Sequence, residues 1–197
     1  MRVGEGTIVP DLYIIGGPNG AGKTTTAMRV FPRLGVTHFI NADMIAQGIS
    51  PLNVETAARA AGRIMLDEME ARLAAGDDFA LETTLASRTL APFVKRCKSA
   101  GYRFILIYVW LESADLAVSR VAKRVSAGGH HIPEDVIRRR YERGRSNFFS
   151  LYRDLADVWI VSDNTGNETE DVARFEDGEL VVYQPQTWNI ISQQELS

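Results

Sequence analysis

The sequence has little of what marks a disulfide-bonded, membrane-spanning or exported chain. Its one cysteine, Cys97, rules out an intramolecular disulfide, and no second thiol or histidine lies near it in sequence as a metal ligand. The longest uninterrupted apolar run, 104–111, is far shorter than the roughly 20 residues that a membrane-spanning helix needs. We also find no secretory leader, and therefore expect a cytoplasmic protein with no membrane partner.

An excess of charge of one sign is also missing, because the net charge is only −3. This balance argues against a general nucleic-acid or membrane-surface role. The basic residues are nevertheless unevenly distributed, because many of them lie between Arg120 and Arg145. A concentrated basic segment in an acidic protein indicates a phosphate-rich small ligand. Each arginine of the segment could instead lie on a solvated helix face. The basic residues of the segment are Arg120, Lys123, Arg124, Arg138, Arg139, Arg140, Arg143 and Arg145.

Short apolar runs alternate with helical patterns along the chain. With 197 residues and 45% hydrophobic composition, the chain is long enough for one domain with its own core. We expect a single domain over 1–197, with a core from about 12 to 167 and a C-terminal β-hairpin and tail over 168–197. The alternation predicts a three-layer α/β fold with a five-stranded, mostly parallel sheet. The predicted strands are 12–15, 38–40, 79–81, 104–111 and 158–161.

Capping residues and glycines predict where the helices begin and end. Ser50 and Pro51 are typical of a helix start, and Gly76 is expected to end that helix. Ser113 is expected to cap a helix that runs to about 127, and Pro133 to begin a further long helix. The predicted inward stripe of this last helix consists of Ile137, Tyr141, Phe148 and Tyr152.

Polar side chains follow three of the predicted strands, at 41–43, 82–84 and 163–164. The carboxyl ends of parallel strands meet at one edge of a sheet, and ligands of open α/β sheets bind beyond that edge. The three polar clusters therefore predict a binding site there.

A glycine-rich segment between the first strand and the first helix matches the pattern G-x-x-x-x-G-K-[ST] in full. Its backbone amides and the helix N-terminus are suited to phosphates. Lys23 is expected to reach the β- and γ-phosphates of ATP, and Thr24 to hold Mg²⁺. The expected nucleotide-binding residues of this P-loop are Gly17, Pro18, Asn19, Gly20, Ala21, Gly22, Lys23, Thr24 and Thr25.

A P-loop occurs in several classes of protein, and other signatures must separate them. The chain has no Asn-Lys-x-Asp guanine signature, no strand that ends in the usual Walker B aspartate after a long spacing, and no transporter-type signature. These absences favour a P-loop kinase over a GTPase, a motor or a transporter ATPase.

Asp43 is the candidate catalytic base, because it follows the second strand and is therefore expected beside the P-loop. A carboxylate there could accept the proton of an attacking hydroxyl. Asp43 could alternatively be a helix N-cap. The expected substrate contacts are Asn41, Glu82, Thr83 and Thr84, although Glu82 could orient a magnesium-bound water or only cap a turn.

Arg120, Arg124 and the turn 128–130 have the character of a lid whose guanidinium groups close on the γ-phosphate. His130 is expected to contact phosphate or substrate rather than a metal, and a plain loop role is the alternative. Asn164, beyond the fifth strand, is a further expected nucleotide contact.

Five segments together resemble the zeta toxin family of bacterial P-loop kinases in a compact form, over about Leu12 to Asn167. Although P-loops are common, the combination with the later segments is specific. The segments are 16–25 (GGPNGAGKTT), 41–43 (NAD), 79–84 (FALETT), 128–133 (GGHHIP) and 138–141 (RRRY).

The resemblance implies transfer of the ATP γ-phosphate to the 3′-hydroxyl of the amino sugar in UDP-N-acetylglucosamine, and a small helical antitoxin as partner. Asp43 then matches the catalytic base, and Glu82 and Thr84 the substrate-contacting pair. Arg120 or Arg124 matches the first lid arginine, while the second falls at His130. Two alternatives stay open. One is a kinase for another hydroxyl, on an antibiotic, a nucleoside or a polynucleotide end, and the other is an ATP-driven switch without transfer.

Overall fold

The computed structural model describes residues 9–193, with side chains through Ser192, and these residues form seven strands and eight α-helices together with a 3-10 helix at Phe31–Leu34 and a π-helical turn. The strands are β1 Asp11–Gly16, β2 His38–Ile40, β3 Phe79–Thr83, β4 Arg103–Trp110, β5 Val158–Asp163, β6 Glu170–Glu176 and β7 Glu179–Val182. The helices are α1 Lys23–Val30, α2 Ala42–Ile49, α3 Val54–Ala75, α4 Ala91–Ser99, α5 Ala114–Ser126, α6 Glu134–Asn147, α7 Arg153–Leu155 and α8 Pro185–Gln193. The predicted single domain also includes 1–8 and 194–197, which lie outside the described residues.

One sheet runs through the molecule in the order β2-β3-β1-β4-β5-β6-β7. The first five strands in this order are parallel, as the sequence predicts, and β6 and β7 extend the sheet antiparallel at one edge. The predicted α/β fold is confirmed, and the C-terminal hairpin is part of the sheet. In residues 9–193, none of the helices combines the length and the apolar character needed to span a bilayer.

The two faces of the sheet each carry a hydrophobic core, because successive side chains of a strand point to opposite faces. Leu12 and Ile14 of β1 pack on one face with residues of α4 and α8, which we call the α4 face. Tyr13 and Ile15 pack on the other with residues of α1 and α5, which we call the α1 face. β4 is buried on both faces, as its unbroken apolar run predicts.

Helix α6 and its continuation touch both cores. Ile137 and Tyr141 belong to the core of the α1 face, whereas Phe148 and Tyr152 belong to the core of the α4 face. A π-helical turn, Phe148–Tyr152, lies where the chain passes between the cores. The helix therefore crosses the carboxyl edge of the sheet, and the sequence predicted its inward residues but not this crossing.

The predicted start of the long helix at Ser50 and Pro51 is wrong. Ser50 is the C-cap of α2, a helix that the sequence did not predict, and α3 begins at Val54 after a turn. The predicted end of α3 at Gly76 and the cap of α5 by Ser113 are both confirmed, and the Ser113 side chain accepts a hydrogen bond from the backbone N–H of Leu116 at 3.1 Å.

Candidate active site

The P-loop has a backbone that only glycine fits at two of its positions. Gly17 has φ +141°, and a Cβ added there would lie 2.2 Å from the carbonyl oxygen of Val109 on β4. Gly22 has φ +82°, and a Cβ there would lie 2.6 Å from the side-chain amide of Asn164. The glycines thus allow the loop to pack directly on the neighbouring strand and loop, with its amides beside the N-terminus of α1.

Asn164 braces the P-loop from the end of β5. Its Nδ2 donates to the carbonyl of Ala21 at 2.7 Å, and its Oδ1 accepts from the Thr169 hydroxyl at 2.8 Å. Both ends of the amide are thus bonded to protein groups. Contact of Asn164 with a nucleotide stays a prediction, while its contact with the loop is a feature of the fold.

Lys23 lies almost completely inside the cleft, with 6% of its surface exposed. Its Nζ donates to the carbonyl of Pro18 at 2.9 Å and lies 3.8 Å from Oε1 of Glu82. Burial lowers the pKa of Lys23, Glu82 and Asp43 oppose this shift, and Arg124 and Arg140 add to it. A buried ammonium among partners of both signs is suited to a dense anion such as a triphosphate.

Glu82 joins the P-loop to the end of β2. Its Oε2 accepts hydrogen bonds from the Thr24 hydroxyl at 2.8 Å and from Nδ2 of Asn41 at 2.7 Å. Strand β3, which carries Glu82, pairs directly with β1, which leads into the loop. The contact with Thr24 favours, for Glu82, the predicted role of orienting a magnesium-bound water over a contact with the substrate.

Asp43 has no part in capping α2. The N-cap is Asn41, whose Oδ1 accepts from the backbone N–H groups of Asp43 at 2.8 Å and Met44 at 3.2 Å. The N-cap alternative for Asp43 is therefore wrong, and its carboxylate remains exposed along the cleft.

The donor set fits a magnesium ion that keeps most of its ligands from phosphates and water. No group of three or more histidine, cysteine or acidic side chains in residues 9–193 could hold a metal alone. Mg²⁺ in nucleotide sites needs only one or two protein ligands, and Thr24 beside Glu82 would supply them. When bound with the nucleotide, the ion would supply positive charge to the phosphates.

Two arginines of α5 lie along the cleft. Arg120 donates to the carbonyl of Thr165 at 2.8 Å, and its Cβ would lie 3.2 Å from a Cβ on Gly20 of the P-loop. Arg124 donates to the carbonyl of His130 at 3.1 Å and so fastens the turn between α5 and α6. The predicted lid residues are thus together at the cleft, and closure of the lid stays a prediction.

The cleft has a volume of about 640 Å³ and two chemically different walls. The wall on the β4 side and the P-loop carry its cations, Lys23, Arg120, Arg124 and Arg140. Among the described lining residues, the opposite wall contributes no cation. That wall is formed by Asn41, Asp43, Met44, Gln47, Pro51, Val54, Met65, Thr83 and Thr84.

Most of the residues predicted from sequence meet in this cleft. Those that line it are Asn19, Gly20, Gly22, Lys23, Thr24, Thr25, Asn41, Asp43, Glu82, Thr83, Thr84, Arg120, Arg124 and His130. Gly17, Pro18 and Ala21 are buried within the loop. His131 is exposed and does not line the cleft.

Sequence reasoning missed Arg140 and the residues of α2, α3 and the turn between them that line the cleft after Asp43. Arg140 lies three residues after Ile137 and next to Tyr141, which both face inward. Its spacing from Ile137 places it on the flank of the buried face, and this signal could have separated it from Arg138 and Arg139. These residues of the α2–α3 wall could not be found, because α2 itself was not predicted.

The strand order, the P-loop between β1 and α1, and the polar carboxyl edge define a P-loop protein of small-molecule-kinase-like fold. The AAA domain family matches residues 12–151, and the chain belongs to this family. It is also 32% identical over 125 residues to an uncharacterized protein of Haemophilus influenzae, a match that covers 64% of this chain and 88% of that protein.

Two solved structures share the fold at low sequence identity. The AvrRxo1-ORF1:AvrRxo1-ORF2 complex with sulphate ions is similar with a TM-score of 0.73 and 18% identity, over 95% of this chain and 65% of that chain. This chain thus spans less than two thirds of the AvrRxo1 chain, whose complex is also known with ATP. The PezAT toxin–antitoxin system of Streptococcus pneumoniae is similar with a TM-score of 0.68 and 15% identity, over 96% of this chain and 81% of that chain.

Proposed function

We propose that the protein is a kinase that transfers the γ-phosphate of ATP to a hydroxyl group of a small molecule. The observation that carries this proposal is the carboxylate of Asp43, which is free of the α2 cap and lines the same cleft as Lys23 and Thr24. A phosphate cradle facing a carboxylate is suited to phosphoryl transfer to a hydroxyl, because the carboxylate can orient the hydroxyl and accept its proton.

In this reaction the oxygen of the acceptor forms a bond to the γ-phosphorus, and the bond from that phosphorus to the bridging oxygen of ADP breaks. Asp43 orients the hydroxyl and accepts its proton. Lys23 and the P-loop amides hold the phosphates, and Thr24 with Glu82 would hold Mg²⁺. Arg120 and Arg124 stabilise charge that develops on the transferred group.

The acceptor that we propose first is UDP-N-acetylglucosamine, phosphorylated at the 3′-hydroxyl of its amino sugar. The resemblance of Asn41–Asp43 and Glu82–Thr84 to zeta toxins supports it, as does the fold shared with the PezAT system. The matching proposal for a partner is a small helical antitoxin, and both substrate and partner would be cytoplasmic.

A second acceptor class, an uncharged hydroxyl compound such as a nucleoside or an antibiotic, is favoured by the charge of the acceptor wall. A UDP-sugar carries a diphosphate, and phosphates are usually bound by cations or backbone amides. The described residues of the α2–α3 wall offer Met44, Val54 and Met65 beside amides and hydroxyls, and no cation. This lining is suited to a neutral, partly apolar ring.

The experiment that tests the proposal is incubation with ATP, Mg²⁺ and a panel of UDP-sugars, nucleosides and uncharged hydroxyl-bearing antibiotics, followed by mass spectrometry. A product heavier by one phosphate identifies the acceptor class. UDP-N-acetylglucosamine phosphate would support the first acceptor, and a phosphorylated neutral compound the second. Release of only ADP and free phosphate across the panel would favour the ATP-driven switch.

A further inference from the structure

Arg140 of α6 reaches the P-loop from a position 121 residues away in sequence. Its Nη1 lies 3.4 Å from Oδ1 of Asn19, a P-loop residue that is 6% exposed, and the arginine lines the cleft. The charge of Arg140 also contributes to lowering the pKa of the buried Lys23. The guanidinium is therefore at the phosphate end of the cleft.

The neighbouring arginines of α6 have different surroundings. Arg138 pairs with Asp115 at 2.6 Å and with Glu134 at 2.7 Å, and Arg139 lies 3.6 Å from Asp135. Both are about half exposed. Arg140, by contrast, is paired with no carboxylate in residues 9–193, although it is partly buried. A partly buried guanidinium without an anionic partner has uncompensated charge directed at the cleft.

The contact with Asn19 is a weak one that an anion would displace. Its length of 3.4 Å exceeds the usual range of an N–H···O hydrogen bond, and its acceptor is a neutral amide. A phosphate oxygen is a stronger acceptor, and it can bond to the planar guanidinium at two points. Exchange of the amide for a phosphate oxygen is therefore favourable and requires little movement.

We propose that Arg140 binds the γ-phosphate of the nucleotide, and so supplies from α6 a guanidinium in addition to those of α5. This inference rests on the proposed function in one respect, that the P-loop binds ATP. It adds a specific residue to the site, one that recognises the terminal phosphate and not the nucleotide as a whole. Helix α6 also packs against Thr84. The same helix therefore contacts both the P-loop, at the phosphate end of the cleft, and the proposed acceptor end.

The inference is tested by calorimetry with Mg²⁺ and either ADP or a non-hydrolysable ATP analogue, on the wild type, Arg140→Ala and the control Arg139→Ala. Arg140→Ala should lose roughly 10- to 100-fold of its affinity for the ATP analogue, the scale of a hydrogen bond to a charged group, with ADP affinity nearly unchanged. Arg139→Ala should match the wild type for both ligands. Arg140→Lys should recover part of the loss, because lysine keeps the positive charge but lacks the planar guanidinium that can bond to a phosphate at two points.

Different outcomes separate this inference from the proposed function. Equal losses for the two nucleotides in Arg140→Ala would mean that Arg140 only supports the loop through Asn19, and would overturn the inference. An unchanged preference for the ATP analogue in that variant would also overturn it, while leaving the kinase proposal intact. A wild type that binds neither nucleotide would overturn both. Nucleotide binding as expected, with no phosphorylated acceptor, would contradict only the kinase proposal.

Discussion

At the scale of single residues, hydrogen bonds distinguish the side chains of the site that support the fold from those that are available for chemistry. Asn41 both caps α2 and donates to Glu82, so its polar atoms are used by the protein. Asp43, two residues later, accepts no hydrogen bond from a described protein group through its carboxylate. The two neighbours therefore allow stability and catalysis to be tested separately.

Replacement of Asp43 by Asn should leave folding and ATP affinity close to wild type, because Asn41 forms the cap. Transfer to the acceptor should fall by about 10²-fold or more, the scale of losing a positioned general base. Asn41→Ala is the contrasting variant, and it should lower the free energy of unfolding by about 1 kcal/mol through the lost cap. Near-normal turnover of Asp43→Asn would direct the search for a base to Glu82.

Replacement of Lys23 by Ala should abolish transfer and weaken ATP binding together, because it removes the buried charge that we expect to meet the β- and γ-phosphates. Calorimetry with ATP and Mg²⁺ measures the binding step. Lys95→Ala on α4 is the matched control, since Lys95 is exposed and does not line the cleft. Unchanged ATP affinity in Lys23→Ala would contradict the assignment of the loop.

At the scale of secondary structure elements, α5 and α6 bring guanidinium groups to the cleft. Arg120→Ala and Arg124→Ala each remove one of them while leaving the P-loop intact. At least one should lose turnover by about 10²-fold or more, with a much smaller loss of ATP binding, if it acts on charge that develops in the transition state. Steady-state kinetics measures this, with Lys123→Ala of the same helix as control. Full turnover in both variants would mean that Arg120 and Arg124 lie on a solvated face of α5 and do not act in transfer.

Helix α6 passes so close to the β3–α4 loop that a methyl group does not fit between them. A Cβ on Gly144 would lie 2.4 Å from the carbonyl oxygen of Thr84, whereas a Cβ on Gly62 of α3 would meet nothing within 4 Å. In a helix interior, Gly→Ala ordinarily stabilises by about 0.5–1 kcal/mol. We expect this gain for Gly62→Ala, and a net loss of about 1–3 kcal/mol for Gly144→Ala, where backbone must move. Urea unfolding of the two variants measures the contrast, and a stabilised Gly144→Ala would contradict the packing described.

The sequence predicted those elements whose signal is local. The five parallel strands follow from apolar runs, and the P-loop follows from its pattern between strand and helix. Helix α2 was missed because Ser50 and Pro51 resemble a helix start, although Ser50 ends α2 and Asn53 precedes α3. The spacing of Arg140 from Ile137 places it on the flank of the buried face of α6, but periodicity does not show that this flank lies against the P-loop.

At the scale of the whole molecule, the sheet separates two cores that α6 joins across the carboxyl edge. The C-terminal helix α8 belongs to the α4 face, where Trp188 stacks on Trp159 with ring centroids 5.6 Å apart and Ile191 is fully buried. The sequence predicted only a hairpin and tail there. A helix of nine residues gains its stability from this packing and not from its own propensity.

Replacement of Ile191 by Ala should lower the free energy of unfolding by about 2–5 kcal/mol through the cavity that it leaves. Ile190→Ala is the matched control, because Ile190 is 51% exposed and its loss should change stability by no more than about 0.5 kcal/mol. ATP affinity should stay at the wild-type value in both folded variants, since neither residue lines the nucleotide cleft. Chemical denaturation and calorimetry measure the two quantities, and equal stability of the two variants would mean that α8 is not docked as described.

The two walls of the cleft differ in charge, and we expect this difference to determine which substrate each wall attracts. A nucleotide trianion or tetraanion is drawn by long-range attraction to the wall that carries Lys23, Arg120, Arg124 and Arg140, and this attraction weakens as salt is added. A neutral acceptor that enters along the α2–α3 wall feels no such attraction. With a neutral acceptor, ionic strength should therefore change the association rate of the nucleotide and leave that of the acceptor unchanged.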